Sequence, residues 1–295
     1  MDFFLQLLLS GIMSGAVYLL MAISVVIIYK SSSLFNFAHG SLVALTAYLA
    51  WCFTAQLGLP VWLSVILLIA VIFVLGALIQ RFVLQPLTGQ PLLAAVMATI
   101  ALGEVLAGVV TLAWPGPGRT FPSLTHAKVI HLGNIIVAYE GLVNLVVSGV
   151  AFGIFILFFQ RTRLGLAMRG TAEDHQLARS EGIRVTRIFA MSWIIAILMA
   201  AVGGFLMANL QGVDAFPLSA LGMKSLSVVI FGGMESIGGA VIAAFVIGIA
   251  EVMAAGYLDP YVGGGLQEVF PFVILLFALL VRPYGLFGYK RIERV

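Results

Sequence analysis

The residues able to do chemistry are few and widely spaced. Two carboxylates, Glu104 and Glu251, and one ammonium, Lys224, lie deep inside apolar runs. An ionisable group at membrane depth is costly and normally faces protein or a cavity. Either they touch a polar solute in transit, or Lys224 pairs with a glutamate for structural reasons; the pair is the simpler reading. Asn36 and His39 are three residues apart and share a helix face if a helix has begun there. His39 could then hydrogen-bond a carboxylate or amide in a path, although a buried polar pair bracing a broken helix explains both residues with less. Glu235 and Ser236 sit between Gly232-Gly233 and Gly238-Gly239 and suit the inner mouth of a passage.

Other chemistries fail on composition of the motifs. His126 and His131 have no cysteine nearby and only Glu140 as an acid, so no metal site is expected. No Ser-His-Asp set or carboxylate pair marks an active site. A phosphate-binding loop ends in Gly-Lys-Ser/Thr because its lysine reaches the phosphates. The lysines here follow Tyr29, Ala127, Met223 and Tyr289, never glycine. No ATP hydrolysis is expected from this chain by that route.

These residues must be held by a membrane scaffold. Of the 295 residues, 62% are hydrophobic and 9% charged, against about 25% charged in a soluble domain. The apolar runs approach the ~20 residues that cross a bilayer as a helix, and lack the ~10-residue alternation of a β-barrel. The reading is an all-α polytopic membrane protein. The spans expected are Phe3–Ile28, Phe35–Phe53, Val61–Val83, Leu92–Trp114, Gly141–Phe159, Ile188–Leu210, a short or broken Leu218–Gly232, Ala240–Ala255 and Val269–Val281. The first is read as a retained span, not a cleaved signal. A structured external loop is expected over 115–138, with a hairpin turning at Gly133-Asn134. Cys52 is the only cysteine, which leaves no internal disulfide.

One long polar island interrupts the oil, Arg161 to Arg187, holding six of the eleven arginines. Its charge, and that of the tail with Lys290, Arg291 and Arg294, places both in the cytoplasm. Parity then requires an odd number of crossings after the island. Nine transmembrane helices satisfy this, with Lys30 and Arg81 inside and the 115–138 loop outside; eight leave one basic cluster on the wrong side. The net charge of +3 is orientation, not a nucleic-acid signal. Within the island, Thr171 is expected to cap a helix over Ala172–Glu181, with Asp174 completing the cap and Gly182 stopping it. Ten residues make a rod of roughly 15 Å, too short to stand alone in water, so it needs something to dock against: a partner's groove or the lipid head groups.

Four blocks then resemble one family. Asn36-Phe37-Ala38-His39-Gly40-Ser41-Leu42, Arg163-Leu164-Gly165 through Ala172-Glu173-Asp174 to Gly182-Ile183, Ser225 to Met234 with Ile237-Gly238-Gly239, and Arg282-Pro283-Tyr284-Gly285-Leu286-Phe287-Gly288 are similar to the bacterial branched-chain amino-acid ABC importer permeases of the LivH/LivM type, more LivH-like. The resemblance implies a single permease domain over 1–295 with type II ABC importer architecture; the residues themselves hint at an internal repeat, since Phe35–Leu49 and Phe231–Phe245 both start with a polar, glycine-containing break and run into a small-residue helix. It implies a second, LivM-like permease, two cytoplasmic ATPase subunits that use ATP and Mg, and a periplasmic or extracellular solute-binding protein. This chain itself would hold no cofactor and sit, multi-pass, in the inner membrane. Coupling to the ATPase would fall on Arg169, Thr171, Ala172, Glu173, Asp174, Leu177, Ala178 and Gly182. The candidate path residues are Asn36, His39, Ser41, Glu104, Lys224, Gly232, Gly233 and Glu235. The solute would be leucine, isoleucine or valine. Urea, short amides or aromatic carboxylates through the same machinery are the near alternative; an ion-coupled secondary transporter is the distant one.

Overall fold

A computed structural model describes residues 2–87, 90–121, 129–132 and 135–288. All nine apolar segments are helical. They are α1 (Asp2–Ser32), α2 (His39–Trp51), α3 (Val61–Ile79), α4 (Leu92–Ala113), α5 (Tyr139–Arg161), α8 (Val185–Gln211), α9 (Ala215–Gly232), α10 (Ile237–Val262) and α11 (Leu266–Val281). The polar island supplies α6 (Arg163–Glu173) and α7 (His175–Ser180). Seven of the apolar helices are long and apolar enough to cross a membrane, counting the turns that prolong α3 to Leu87. The shorter two are α11, at 16 residues, and α2, at 13. A π-helical turn over Cys52–Gln56 extends α2.

Two boundaries differ from expectation. The second helix begins at His39, not Phe35, because Asn36 turns the chain just before it. Asp259-Pro260 does not separate two helices but closes α10. Pro260 removes one backbone donor from the last turn of α10, and the turn follows at Gly263, Gly264 and Gly265, all at positive φ. In the loop expected to be external, β1 (Val129–Leu132) pairs antiparallel with β2 (Ile135–Ala138). The Gly133-Asn134 turn itself, His126 and the basic tail residues Lys290, Arg291 and Arg294 lie outside the described residues.

The chain forms two compact units. One comprises residues 1–26, 125–149 and 224–295, the other residues 27–124 and 150–223. In the second of these, α2 is the core. Ten of its residues are buried, because three neighbouring helices each offer it a glycine. Gly204 of α8 meets Val43, Gly103 of α4 meets Ala38, and Gly222 of α9 lies backbone to backbone against Gly40. Small residues let helices approach closely where no water drives them together.

This unit has two distinct ends. Ser32, Gln80, Leu92, His175 and Val185 line one cavity, which gathers the end of α1, the end of α3, the start of α4 and the island at one level. At the other end Trp51 Nε1 donates to Thr120 O at 3.0 Å, Trp114 Nε1 donates to Gln56 Oε1 at 3.2 Å, and Arg119 bridges Val213. Helix α8, of 27 residues, joins the two levels over about 40 Å. That arrangement matches the charge parity, with Lys30, Arg81 and the island on one side.

In the first unit, α1 and α10 run antiparallel along a seam of small residues. Gly11-Ile12-Met13-Ser14-Gly15 packs on Ala244 to Ile249, and a Cβ on Gly248 would lie 2.6 Å from Gly15 Cα. This is the close approach that Gly-x-x-x-Gly permits. The same unit joins two segments far apart in sequence. The amides of Leu286 and Phe287 donate to Phe231 O and Gly232 O at 2.8 and 3.1 Å. The tail thus satisfies carbonyls that the end of α9 leaves open, with Gly233 and Gly285 at positive φ where the backbones meet.

Candidate functional site

The island is an elbow followed by a short capped helix. Thr162 caps α6, its Oγ1 accepting from Gly165 N at 3.0 Å. Gly165 is required there, since a Cβ would sit 2.7 Å from Phe158 O. Arg169 reaches back and donates to Phe159 O at 2.6 Å and to Gln160 O at 3.4 Å. Its guanidinium also lies over the Phe159 ring. A cation on the last carbonyls of α5 complements that helix's negative end. Arg169 therefore locks α5 to α6.

The expected single helix over Ala172–Glu181 is two helices. Thr171 is no cap: it is fully buried inside α6 and bonds back to Ala167 O. The chain extends at Asp174, whose Oδ1 accepts from Gln176 N at 2.7 Å and Leu177 N at 3.0 Å and caps α7. Backbone donation from Leu177, then Gln176, holds this exposed carboxyl below the usual range. Gly182, at φ +81°, ends α7 as expected. Ile183 N donates to Ala178 O and Gly182 N to Arg179 O, the Schellman pattern. His175 meets Phe189 of α8 edge-on at 5.5 Å.

Of the residues expected to couple, Thr171 and Ala178 are buried and Arg169 braces the elbow. Ala172 is half-buried. Glu173, Asp174, Leu177 and Gly182 are exposed, and Leu177 at 62% is matched by Leu166 at 62%. Two exposed leucines on a short polar segment, over a buried Met168–Thr171 face, make a surface suited to a protein partner.

The expected polar break at the start of α2 is present, but Asn36 precedes the helix, so it and His39 do not share a helical face. Asn36 Oδ1 accepts from Ala38 N at 3.1 Å. Thr99 of α4, which sequence reasoning missed, braces the break: its Oγ1 accepts from Phe37 N at 3.4 Å. Asn36 and His39 are both 1% exposed, and Ser41 is half-buried.

Lys224 pairs with Glu251, the structural pairing favoured above. Nζ donates to Oε1 at 2.8 Å and to Gln267 O at 3.1 Å. Tyr18 OH donates to the same carboxylate, at 2.8 Å to Oε2. Both ionic groups are buried, so the charges are spent on each other. Glu104 takes no part in this cluster. It is exposed midway along α4, with Ala101, Gly108 and Thr111 exposed at helical spacing beside it. Gly232 and Gly233 are buried beneath the tail, and Glu235 is half-buried in the turn to α10. Ser236 caps α10 through Gly239 N.

Long apolar helices, the buried Lys224–Glu251 pair and a rigid polar elbow define a multi-pass protein of the inner membrane. The family model described as branched-chain amino acid transport system / permease component matches residues 7–279. The chain belongs to that family of ABC transporter permeases. It is 29% identical over 306 residues to the high-affinity branched-chain amino acid transport system permease protein LivH of Escherichia coli, covering 99% of this chain and 98% of that protein. It is 28% identical to BraD, the corresponding permease protein of Pseudomonas aeruginosa, with the same coverage. It is also 28% identical to the probable LivH of Methanocaldococcus jannaschii, over 98% of this chain and 95% of that one. A solved structure, PsaBC from Streptococcus pneumoniae in complex with Fab, shares the fold, with a TM-score of 0.53 at 12% identity over 96% of this chain and 93% of that one.

Proposed function

We propose that this chain is one of two permease subunits of an importer for aliphatic amino acids, leucine, isoleucine or valine. The solute is delivered outside by a binding protein and driven by two ATPase subunits on the other face. The observation that carries the reading is the elbow. Arg169 and Thr162 fix α6 to α5, the Gly182 turn joins α7 to α8, and Leu166, Glu173 and Leu177 stay exposed between them. A push on α7 is thereby passed to two spanning helices. ATP and Mg belong to the ATPases, whose closure supplies the push; this chain contributes the lever and the path.

The path runs along the Ala101, Glu104, Gly108 and Thr111 stripe of α4, facing the second permease. A carboxylate midway along a spanning helix does not face lipid, and small neighbours leave room for a solute. Helix α3 carries no charge on its exposed side, where Ile66, Ile69, Phe73 and Val74 suit lipid, as Val105 and Leu112 do on α4 beside the stripe. Selectivity rests mainly with the binding protein, since the stripe offers one charge and weak contacts.

The test is ATP-driven uptake by the complete complex in proteoliposomes. Glu173→Arg with Leu177→Asp should lower uptake at least tenfold while the complex stays folded, because neither side chain packs inside the chain. Uptake at the normal rate would remove the elbow from the drive. Uptake by this chain alone, collapsed by a protonophore and indifferent to ATP, would replace the whole reading with ion coupling.

A further inference from the structure

At the end of the unit that carries the elbow lies a cavity of about 300 Å³. That is the lower bound of pockets that hold small molecules, ~300–1,000 Å³. Most of its wall is apolar, with Leu84, Leu92 and Trp193 among the lining residues. Five polar side chains, Ser32, Gln80, Gln90, His175 and Arg179, interrupt that wall. Gln80 is 7% exposed, and its Oε1 has no hydrogen-bond partner among the described residues. Buried polar atoms are normally satisfied, so an unsatisfied amide in a cavity wall points to a ligand. His175 Nδ1 is the second buried atom there without a partner among the described residues. Arg179 supplies the positive charge: it is exposed, and it stands one helical turn from His175 on the same face of α7.

We infer that this cavity binds a free zwitterionic aliphatic amino acid from the side of the elbow, an inference that rests on the proposed importer function. The chemistry matches group by group. Arg179 takes the α-carboxylate in charge-assisted bonds. The ammonium donates to Gln80 Oε1 and His175 Nδ1, satisfying both. The aliphatic side chain packs against Leu84, Leu92 and Trp193. Because His175 and Arg179 belong to α7 while Gln80 and Leu92 belong to the spanning scaffold, a bound molecule clamps the lever to the scaffold. Solute that has accumulated inside therefore slows further import. A ligand shifts a conformational balance only by binding one state better, and this cavity takes one wall from α7 and another from the ends of α3 and α4, so the ligand favours the state that holds them together.

The experiment uses the complete transporter in nanodiscs without binding protein, with radiolabelled L-leucine as probe. Saturable binding is expected, weakened about tenfold or more by Gln80→Leu, the loss of one hydrogen bond to a charged group. Ala95→Phe, which fills the cavity from the α4 wall, should abolish it. Both variants should keep ATPase activity. In proteoliposomes, leucine added on the ATPase side should slow wild-type uptake and leave both variants unaffected. Leucine that binds in a Gln80-dependent way but is not transported would keep the site and sink the proposed solute. Leucine that is transported, with binding and uptake indifferent to Gln80→Leu, would sink the site and keep the solute. A phospholipid retained by the wild type and lost in Ala95→Phe, with no leucine bound, would also overturn it.

Discussion

Replacing Lys224 by methionine should cost about 3–5 kcal/mol, the penalty for stranding a buried charge. Glu251 is 1% exposed on its side chain and Lys224 9%, so water cannot take the missing partner's place. Tyr18 OH would remain on the carboxylate, but a neutral hydroxyl does not cancel a charge. Glu251→Met alone should cost a similar amount. The double variant behaves differently. Replacing a buried ion pair by apolar residues is often neutral or favourable by about 1–4 kcal/mol, while the orphaned Tyr18 hydroxyl costs ~1–3 kcal/mol. The two roughly cancel, so the double variant should approach wild-type stability, and adding Tyr18→Phe should bring it to or above that level. The assay is a double-mutant cycle on denaturant unfolding in detergent micelles. Additive single costs, or a Lys224→Met cost below about 1 kcal/mol, would refute the reasoning. The double variant should also transport, since the pair is structural.

Glycines divide by what lies opposite them. Gly222→Val should prevent the unit around α2 from packing, losing the monodisperse protein on size exclusion, because its Cβ would enter the Gly40 backbone. Gly153→Ala, with open space around it, should be tolerated and add up to about 1 kcal/mol of helix stability in an unfolding titration. Asp174→Ala should strip hydrogen-exchange protection from Gln176 and Leu177 while Asp174→Asn keeps most of it. Because the folded-state pKa of Asp174 is depressed, the cap is complete above the ordinary carboxylate range. It is lost only as pH falls through a lower value, so protection should persist down to that point. A cysteine at position 104 should react with a membrane-impermeant thiol reagent in the assembled transporter, whereas one at the lipid-suited position 73 of α3 should not; equal labelling would move the path off α4.

The class, the number of apolar helices and the family were all legible in the sequence. Those follow from run length, charge placement and order of motifs, which are properties of the chain read in one dimension. The sequence also marked Gly182 as a stop, because a left-handed residue has few alternatives to glycine. What it did not hold was which groups meet. Thr171 and Asp174 are both capping residues, and choosing between them depended on Arg169 holding α6 against α5, which carried the first helix through Thr171. Lys224 could pair with either glutamate until α10 brought Glu251 to it. The Gly232-Gly233 block and the Arg282–Gly288 block read as separate motifs, yet the second covers the first, because the end of α9 needs donors that only a distant segment supplies. The cavity behind α7 was invisible for the same reason. Gln80 and His175 come from two helices nearly a hundred residues apart in sequence, and only packing makes Gln80 Oε1 a buried acceptor without a partner among the described residues.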